Sequence, residues 1–242
     1  MSVSDLSAEY PPSSCASCPM MLRAIYGKLG SERPLAVEAL RSARLSFKKG
    51  RIIRSAGAPN ARVYTLFSGW AVASRRPHDG RRQVLSIFVP GDFIGLTSLL
   101  EETAQSTVEA LTDVSLCAFD REEFIAFMAR NQETQISLER EHARVHAAMA
   151  SLVVALGKLS ATQRVADFLL RVRDRLATNE RDKTVSFALP LRREDLADAL
   201  GLTTVHVSRT LSELKAMGGL KFDNHVVTIL DNELIVNLDR AC

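Results

Sequence analysis

The chain is poor in the features that mark specialised proteins. Aromatic residues make up only 6% of its 242 positions, with a single tryptophan, so no stacking platform for single-stranded nucleic acid is legible. Charge is nearly balanced: 31 Lys+Arg against 28 Asp+Glu leave a formal +3, which excludes a histone-like polycation but is compatible with an anionic partner. An apolar content of 46% excludes a disordered chain. Long hydrophobic runs are missing, since Ala147 to Leu156 is far short of a membrane span. Met1 to Ser14 is polar and acidic, with no basic region leading into an apolar one, so no signal peptide is expected. Cysteine is scarce: Cys15, Cys18, Cys117 and Cys242 are the four. Without a secretory segment these point to a cytoplasmic protein with thiols for metal or redox chemistry, rather than to a disulfide framework.

The texture of the chain changes along its length. Met1 to Pro19 is Ser/Pro-rich and reads as an extension. Helical spacing then appears around Met20 to Leu29 and Leu35 to Arg44. From Leu45 to Phe119 short apolar runs such as Arg62 to Phe67, Gln83 to Val89 and Val114 to Phe119 alternate with turn residues, Asp79-Gly80 among them. This predicts a small antiparallel barrel or sandwich. Asp120 is placed to cap a helix carrying Phe124 and Phe127. Leu138, His142, Val145, Met149, Leu152 and Leu156 follow at alternating steps of four and three, the spacing of a two-stranded coiled-coil seam. A single amphipathic helix packed on its own barrel has the same spacing; the charged flanks Glu139, Arg140, Glu141 and Arg144 favour the dimer seam. His142 and His146 lie one turn apart without a third ligand or an acidic base, so a zinc site is not expected there. Gly157 is read as the end of the seam, Ser160 as the cap of a helix from Ala161 to about Leu176, and Thr178 to Lys183 as a polar loop.

From Leu191 to Leu220 the residues read LRREDLADALGLTTVHVSRTLSELKAMGGL. Leu196, Ala197 and Leu200 form the inner face of a short helix, Gly201 permits a sharp turn with Leu202 buried in it, and Thr203 caps a second helix. Val207, Leu211 and Leu214 face inward, and Thr204, Val205, Ser208, Arg209 and Ser212 face outward. Gly218-Gly219 stops that helix, and Leu220 to Leu230, turning at Asp223-Asn224, reads as a two-stranded wing. Helix pairs joined by a glycine turn also occur in proteins that never meet DNA. The small, mostly polar outer face with one arginine suits base edges and phosphates better than a core.

These residues carry a resemblance. Arg193-Glu194-Asp195-Leu196-Ala197 through Gly201-Leu202-Thr203, with Val207-Ser208-Arg209-Thr210-Leu211, resembles the signature of the CRP/FNR family of bacterial transcription regulators. Pro90-Gly91-Asp92-Phe93-Ile94-Gly95 resembles the glycine-rich turn of that family's β-roll, and Leu159-Ser160-Ala161 through Leu170 its entry to the DNA-binding domain. The similarity runs from about Leu45 to Leu238. It implies an α+β chain: an N-terminal extension (1–44), a cyclic-nucleotide-binding-like β-roll or jelly roll as sensor (45–130), a long dimerisation helix (131–157) and a C-terminal winged helix-turn-helix (158–242). It further implies a non-enzymatic homodimer on double-stranded DNA, with RNA polymerase as a partner and no membrane. Thr203, Thr204, Val205, His206, Ser208, Arg209 and Ser212 are the implied DNA-binding residues.

The departures from the pattern are informative. Members that bind cyclic nucleotides carry a glutamate just after the glycine turn and an arginine at the head of an Arg-Ser-Ala-like element. Here Leu96 and Gln105-Ser106-Thr107 stand there, so cyclic AMP is not expected, because a buried phosphate would lack its charge-assisted partner. Cys15, Cys18 and Cys117 resemble three of the four ligands of iron–sulfur members, the candidate metal residues here. The set is incomplete: Ala24 or Tyr26 occupies the remaining N-terminal position, and Cys242 falls in the DNA-binding part. The plain alternative makes Cys15 and Cys18 exposed thiols and Cys117 a core residue; a two-thiol redox switch, or a metal other than an iron–sulfur cluster, is another. A redox, oxygen or nitric-oxide-type signal is the expected input, and control by abundance alone is the alternative. A β-roll metalloenzyme would need clustered ligands where the roll offers only His78. The second recognition slot, usually glutamate, is Val205, which cannot accept from a cytosine amine but packs on a thymine methyl, while Arg209 suits guanine.

Overall fold

Two antiparallel four-stranded sheets make the sensor part of this computed structural model, which describes residues 14–21, 23–26, 33–77, 80–177 and 186–240. One sheet runs in the order β1 (Arg41–Phe47), β8 (Val114–Asp120), β3 (Arg62–Ser68), β6 (Phe93–Ile94). The other runs β2 (Ile52–Arg54), β7 (Thr107–Ala110), β4 (Ala71–Arg75), β5 (Gln83–Phe88). Side chains alternate faces along a strand. In β8, Leu116 and Ala118 therefore enter one core with Tyr64, Leu66, Ala73, Ile94 and Val108, while Phe119 enters a second with Val63, Phe93, Tyr26 and Val37, and Cys117 packs against it. Gly95, at φ +112, turns the chain after β6 where an added Cβ would stand 2.9 Å from Val63 Cγ1.

The second core is closed by helices. α1 (Arg33–Leu40) contributes Val37, α2 (Arg121–Ala129) contributes Phe124 and Met128, and α3 (Gln132–Lys158) contributes Leu138. Asp120 caps α2 as its sequence predicts, accepting from the N–H groups of Glu122 and Glu123. Phe124 stacks on Phe93 at 5.0 Å between ring centroids.

The helical reading of Leu35 to Arg44 is corrected: helix ends at Leu40, and Arg41–Phe47 is strand, half-buried on every other residue and hydrogen-bonded to β8. No helix forms among the described residues of the Met20 to Leu29 stretch, where residues 20, 21 and 23–26 make turns and bends. Helix α3 continues through Gly157 to Lys158. His78, Asp79 and the loop Thr178 to Lys183 lie outside the described residues.

The chain divides into two units, one holding the roll and the first part of α3 to Ala148, the other running from Met149 and taking in Gly80–Val84. The second unit contains α4 (Ala161–Leu176), α5 (Arg193–Leu200), α6 (Thr204–Ala216) and α7 (Asn232–Arg240), with a sheet of β9 (Ser186–Ala188), β10 (Leu220–Asp223) and β11 (Val226–Ile229). Ser160 and Gln163 form a complete capping box at the start of α4. The wing gains a third strand, β9, which pairs with β11, and its turn is centred one residue later than expected, on Asn224 and His225. Both have positive φ, the geometry of the two-residue turn that matches strand twist. No described helix is long and apolar enough to cross a membrane.

Candidate nucleic-acid interface

Three local devices aim the outer face of α6. Gly201 ends α5 in the left-handed region at φ +62. Thr203 then caps α6 by accepting from the His206 N–H at 3.2 Å. Behind it Val207, Leu211, Leu214 and Thr210 are buried, which locks the rotation of the helix. Leu202 is half-buried in the turn.

The opposite face is left to solvent. Thr203, Thr204, Val205, His206, Arg209 and Ser212 are exposed and Ser208 is half-buried. Thr204, Val205, Ser208, Arg209 and Ser212 lie together on one open, solvent-facing surface of the helix. Val205 is 73% exposed. Arg209 Nε lies 3.5 Å from Glu213 Oε1, with both side chains well exposed, so this ion pair holds the guanidinium weakly and leaves it available. Ser212 is already engaged, donating its hydroxyl to the Ser208 carbonyl at 3.0 Å. Arg192, Arg193, Lys215 and Lys221 add exposed cations around the helix pair. From Arg192 to Arg240 acidic residues slightly outnumber basic ones, so attraction to phosphate depends on placement.

Sequence reading missed two residues that hold this assembly. Arg164 donates to three carbonyls, those of Leu156 at 2.9 Å, Leu159 at 3.0 Å and Leu200 at 3.1 Å, so one cation ties the ends of α3 and α5 to α4. Asp195 is 2% exposed in the first turn of α5, where its carboxylate accepts from Arg82 Nη1 at 2.7 Å and from the Arg192 N–H at 3.1 Å. In the sequence Asp195 stands only as one residue of the helix-turn-helix signature; its partner Arg82 is remote in sequence, and nothing local announces it.

A Crp-like helix-turn-helix domain matches residues 163–236, and a cyclic nucleotide-binding domain matches residues 44–131. Over 219 residues the chain is 32% identical to the transcriptional activator protein FnrL of Cereibacter sphaeroides, spanning 88% of this chain and 87% of that one. The chain belongs to the CRP/FNR family. Within it, the FNR/FixK-like branch is the relevant one. The nitrogen fixation regulation protein FixK of Bradyrhizobium diazoefficiens is 29% identical over 94% of both chains. The structure of FixK2 from Bradyrhizobium japonicum aligns with a TM-score of 0.75 at 30% identity, covering 81% of this chain and 96% of that one. The protein is thus a DNA-binding transcription regulator of the CRP/FNR type, built from a nucleotide-binding-like roll, a long helix and a winged helix-turn-helix.

In this CRP/FNR regulator the residues expected on a dimer seam take mixed positions. Leu138 is 5% exposed within the core of its own unit, Val145 packs at the edge of that core, and His142 Nε2 lies 3.5 Å from the Leu96 carbonyl oxygen. Met149, Leu152 and Leu156 are half-buried. The solvent face of α3 carries a second stripe, Ile136, Ala143, Ala147, Ala150 and Val154, spaced seven, four, three and four residues apart. Val154 is 57% exposed, and neighbouring Val153 is 70% exposed.

The nucleotide-binding positions are differently occupied. Leu96 is buried in the second core. Gln105 is engaged by Arg75, whose Nε donates to the Gln105 carbonyl at 2.6 Å and whose Nη2 donates to Oε1 at 3.0 Å.

Cys15, Cys18 and Cys117 do come together, around one small apolar cavity of about 30 Å³. Ala24 and Tyr26 are buried beside them and supply no ligand. Among the described residues no group of three or more His, Cys, Asp or Glu side chains is arranged to hold a metal ion. Four thiolates are needed for an all-cysteine iron–sulfur cluster, and Cys15, Cys18 and Cys117 supply three. The residues present do not fit such a cluster. Cys15 is buried rather than exposed, and Cys117 is half-buried at the edge of the second core. Cys242 lies outside the described residues.

Proposed function

We propose that the protein acts in the cytoplasm as a homodimer on a palindromic promoter site, with RNA polymerase as its protein partner and a redox-type signal as its input. The observation that carries this reading is the solvent-facing surface of α6 formed by Thr204, Val205, Ser208, Arg209 and Ser212, on a helix whose opposite face is locked in a core. Two such helices, one from each subunit, read half-sites about 34 Å apart. Arg209 supplies the bidentate donor for guanine, Val205 packs on a thymine methyl, and Thr203, His206 and Ser212 sit where phosphates and base edges pass. The half-site accordingly differs from one read by a glutamate in the Val205 slot.

Dimerisation is supported by the outward stripe Ile136, Ala143, Ala147, Ala150 and Val154, whose heptad spacing and small side chains suit close helix approach. Met149, Leu152 and Leu156 are half-buried flanks of that face, and Leu138, His142 and Val145 secure the helix to its own roll. Cyclic AMP is a poor candidate input: Leu96 and Gln105 offer neither the carboxylate for a ribose nor the cation for a cyclic phosphate.

Binding-site selection followed by gel shifts tests the recognition assignment. Arg209→Ala is expected to cost about 1–3 kcal/mol per half-site, roughly 5- to 150-fold, and to relax preference at one guanine. Unchanged affinity and unchanged preference would overturn it.

A further inference from the structure

Away from the DNA-facing helix, three cysteines gather beside one cation, Arg41. Cys117 lies on the outward face of β8, and the single helical turn Cys15–Ser17 packs against that side of the sheet. Glu38 of α1 holds the turn in place, its Oε2 accepting from the Cys15 N–H at 2.7 Å. Arg41 opens β1, the neighbour of β8. Its Nη1 donates to Cys15 Sγ at 3.7 Å, and the same guanidinium lies close enough to Cys117 to draw that thiol down. One guanidinium therefore spans two sulfurs from opposite ends of the sensor sequence, and a cavity of about 30 Å³ opens beside them. That volume admits a molecule about the size of water.

We propose that Cys15 and Cys117 form a reversible dithiol–disulfide pair oxidised by hydrogen peroxide, with Arg41 as the positioning residue for both sulfurs. Half-buried Cys117 meets the oxidant first. Its thiolate attacks one peroxide oxygen, the O–O bond breaks, and the departing hydroxide takes a proton to leave as water, giving a sulfenic acid on Cys117. The Cys15 sulfur then attacks that sulfur: the S–S bond forms, the S–O bond breaks, and a second water carries off the remaining proton. Two thiols and one peroxide become one disulfide and two waters, with two electrons passing from sulfur to oxygen. Burial pushes both thiols above their ordinary value and Arg41 pulls them back, so the oxidation rate rises with pH and Arg41 sets where it rises. The product ties the Cys15–Ser17 turn to β8. It gives the redox input proposed above a chemical identity and rests on that reading only for its regulatory meaning.

The test uses the full chain carrying Cys242→Ser, reduced, exposed to hydrogen peroxide, alkylated and digested for peptide mass spectrometry. A Cys15–Cys117 cross-linked peptide with Cys18 alkylated is the expected product. It should vanish in Cys15→Ser and in Cys117→Ser, persist in Cys18→Ser, and form in Arg41→Gln with its rate–pH profile displaced to higher pH. A dominant Cys15–Cys18 or Cys18–Cys117 bridge, a bridge between chains, over-oxidation without a cross-link, or three alkylated thiols would overturn the proposal. The unsubstituted cysteine trio answers this even where a variant fails to fold. A gel shift on the reduced protein is scored separately: its failure removes the DNA reading alone, and absence of the cross-link removes the disulfide alone.

Discussion

Asp195→Ala is the substitution whose cost the structure specifies most fully. The carboxylate is 2% exposed and does two jobs: it satisfies the Arg192 N–H at the start of α5, and it neutralises Arg82, itself 9% exposed and part of the same unit. Loss of the first function costs about 1 kcal/mol, the value of a helix cap. Loss of the second leaves a buried cation short of its counter-charge, about 3–5 kcal/mol. Asp198 still lies 3.4 Å from Arg82 and is 30% exposed, which argues for the lower end. The expected total is about 4 kcal/mol, a large share of a typical domain's roughly 5–15 kcal/mol. Thermal unfolding should then shift down by roughly 8–16 °C. Asp195→Asn keeps an acceptor for the cap and should recover about 1 kcal/mol of this. The pH dependence follows the same groups. Burial alone would raise the Asp195 carboxyl, but the Arg82 and Arg192 hydrogen bonds and the Arg192 charge hold it below its ordinary 3.8. A lowered folded-state value means the stabilisation is complete above about pH 3.8 and disappears as pH falls through the lowered value. Denaturant melts at pH 7 and pH 3 measure both effects. An Asp195→Ala protein within about 0.5 kcal/mol of the parent would refute the claim that a buried pair organises α5.

Two further outcomes are expected. Gly201→Ala places a Cβ on a residue at φ +62 and 2.8 Å from Leu156 Cδ2; the side-chain end can yield but the backbone cannot, so about 1–2 kcal/mol is lost in a thermal melt, with operator affinity falling in step. Ala150→Glu on the solvent face of α3 should leave the circular-dichroism spectrum intact yet shift the sedimentation profile from dimer to monomer, because two like charges would face each other across the stripe. An unchanged dimer would place the interface elsewhere.

Much of the regulator is legible in consecutive residues, because caps and tight turns are bonds between neighbours. Asp120, Ser160 and Thr203 accept from N–H groups two or three positions on, and Gly201 needs only its own backbone freedom. The inward rows of α4 and α6 follow equally from helical period. Tertiary structure decided the rest. Arg41–Phe47 becomes strand through a ladder to β8, with Ser42 Oγ donating to the Ala118 carbonyl 76 residues away. Leu138 turns inward because Phe124 and Tyr26 offer a core there, which frees the alanine stripe for solvent. Cys15 and Cys117 meet because one sheet face receives both. Asp195 becomes a buried charge because Arg82 arrives from another part of the chain. Local hydrogen bonds and periodicity are properties of the sequence itself; which face is buried, which thiols meet and which charge loses its water depend on partners that only the folded chain brings near.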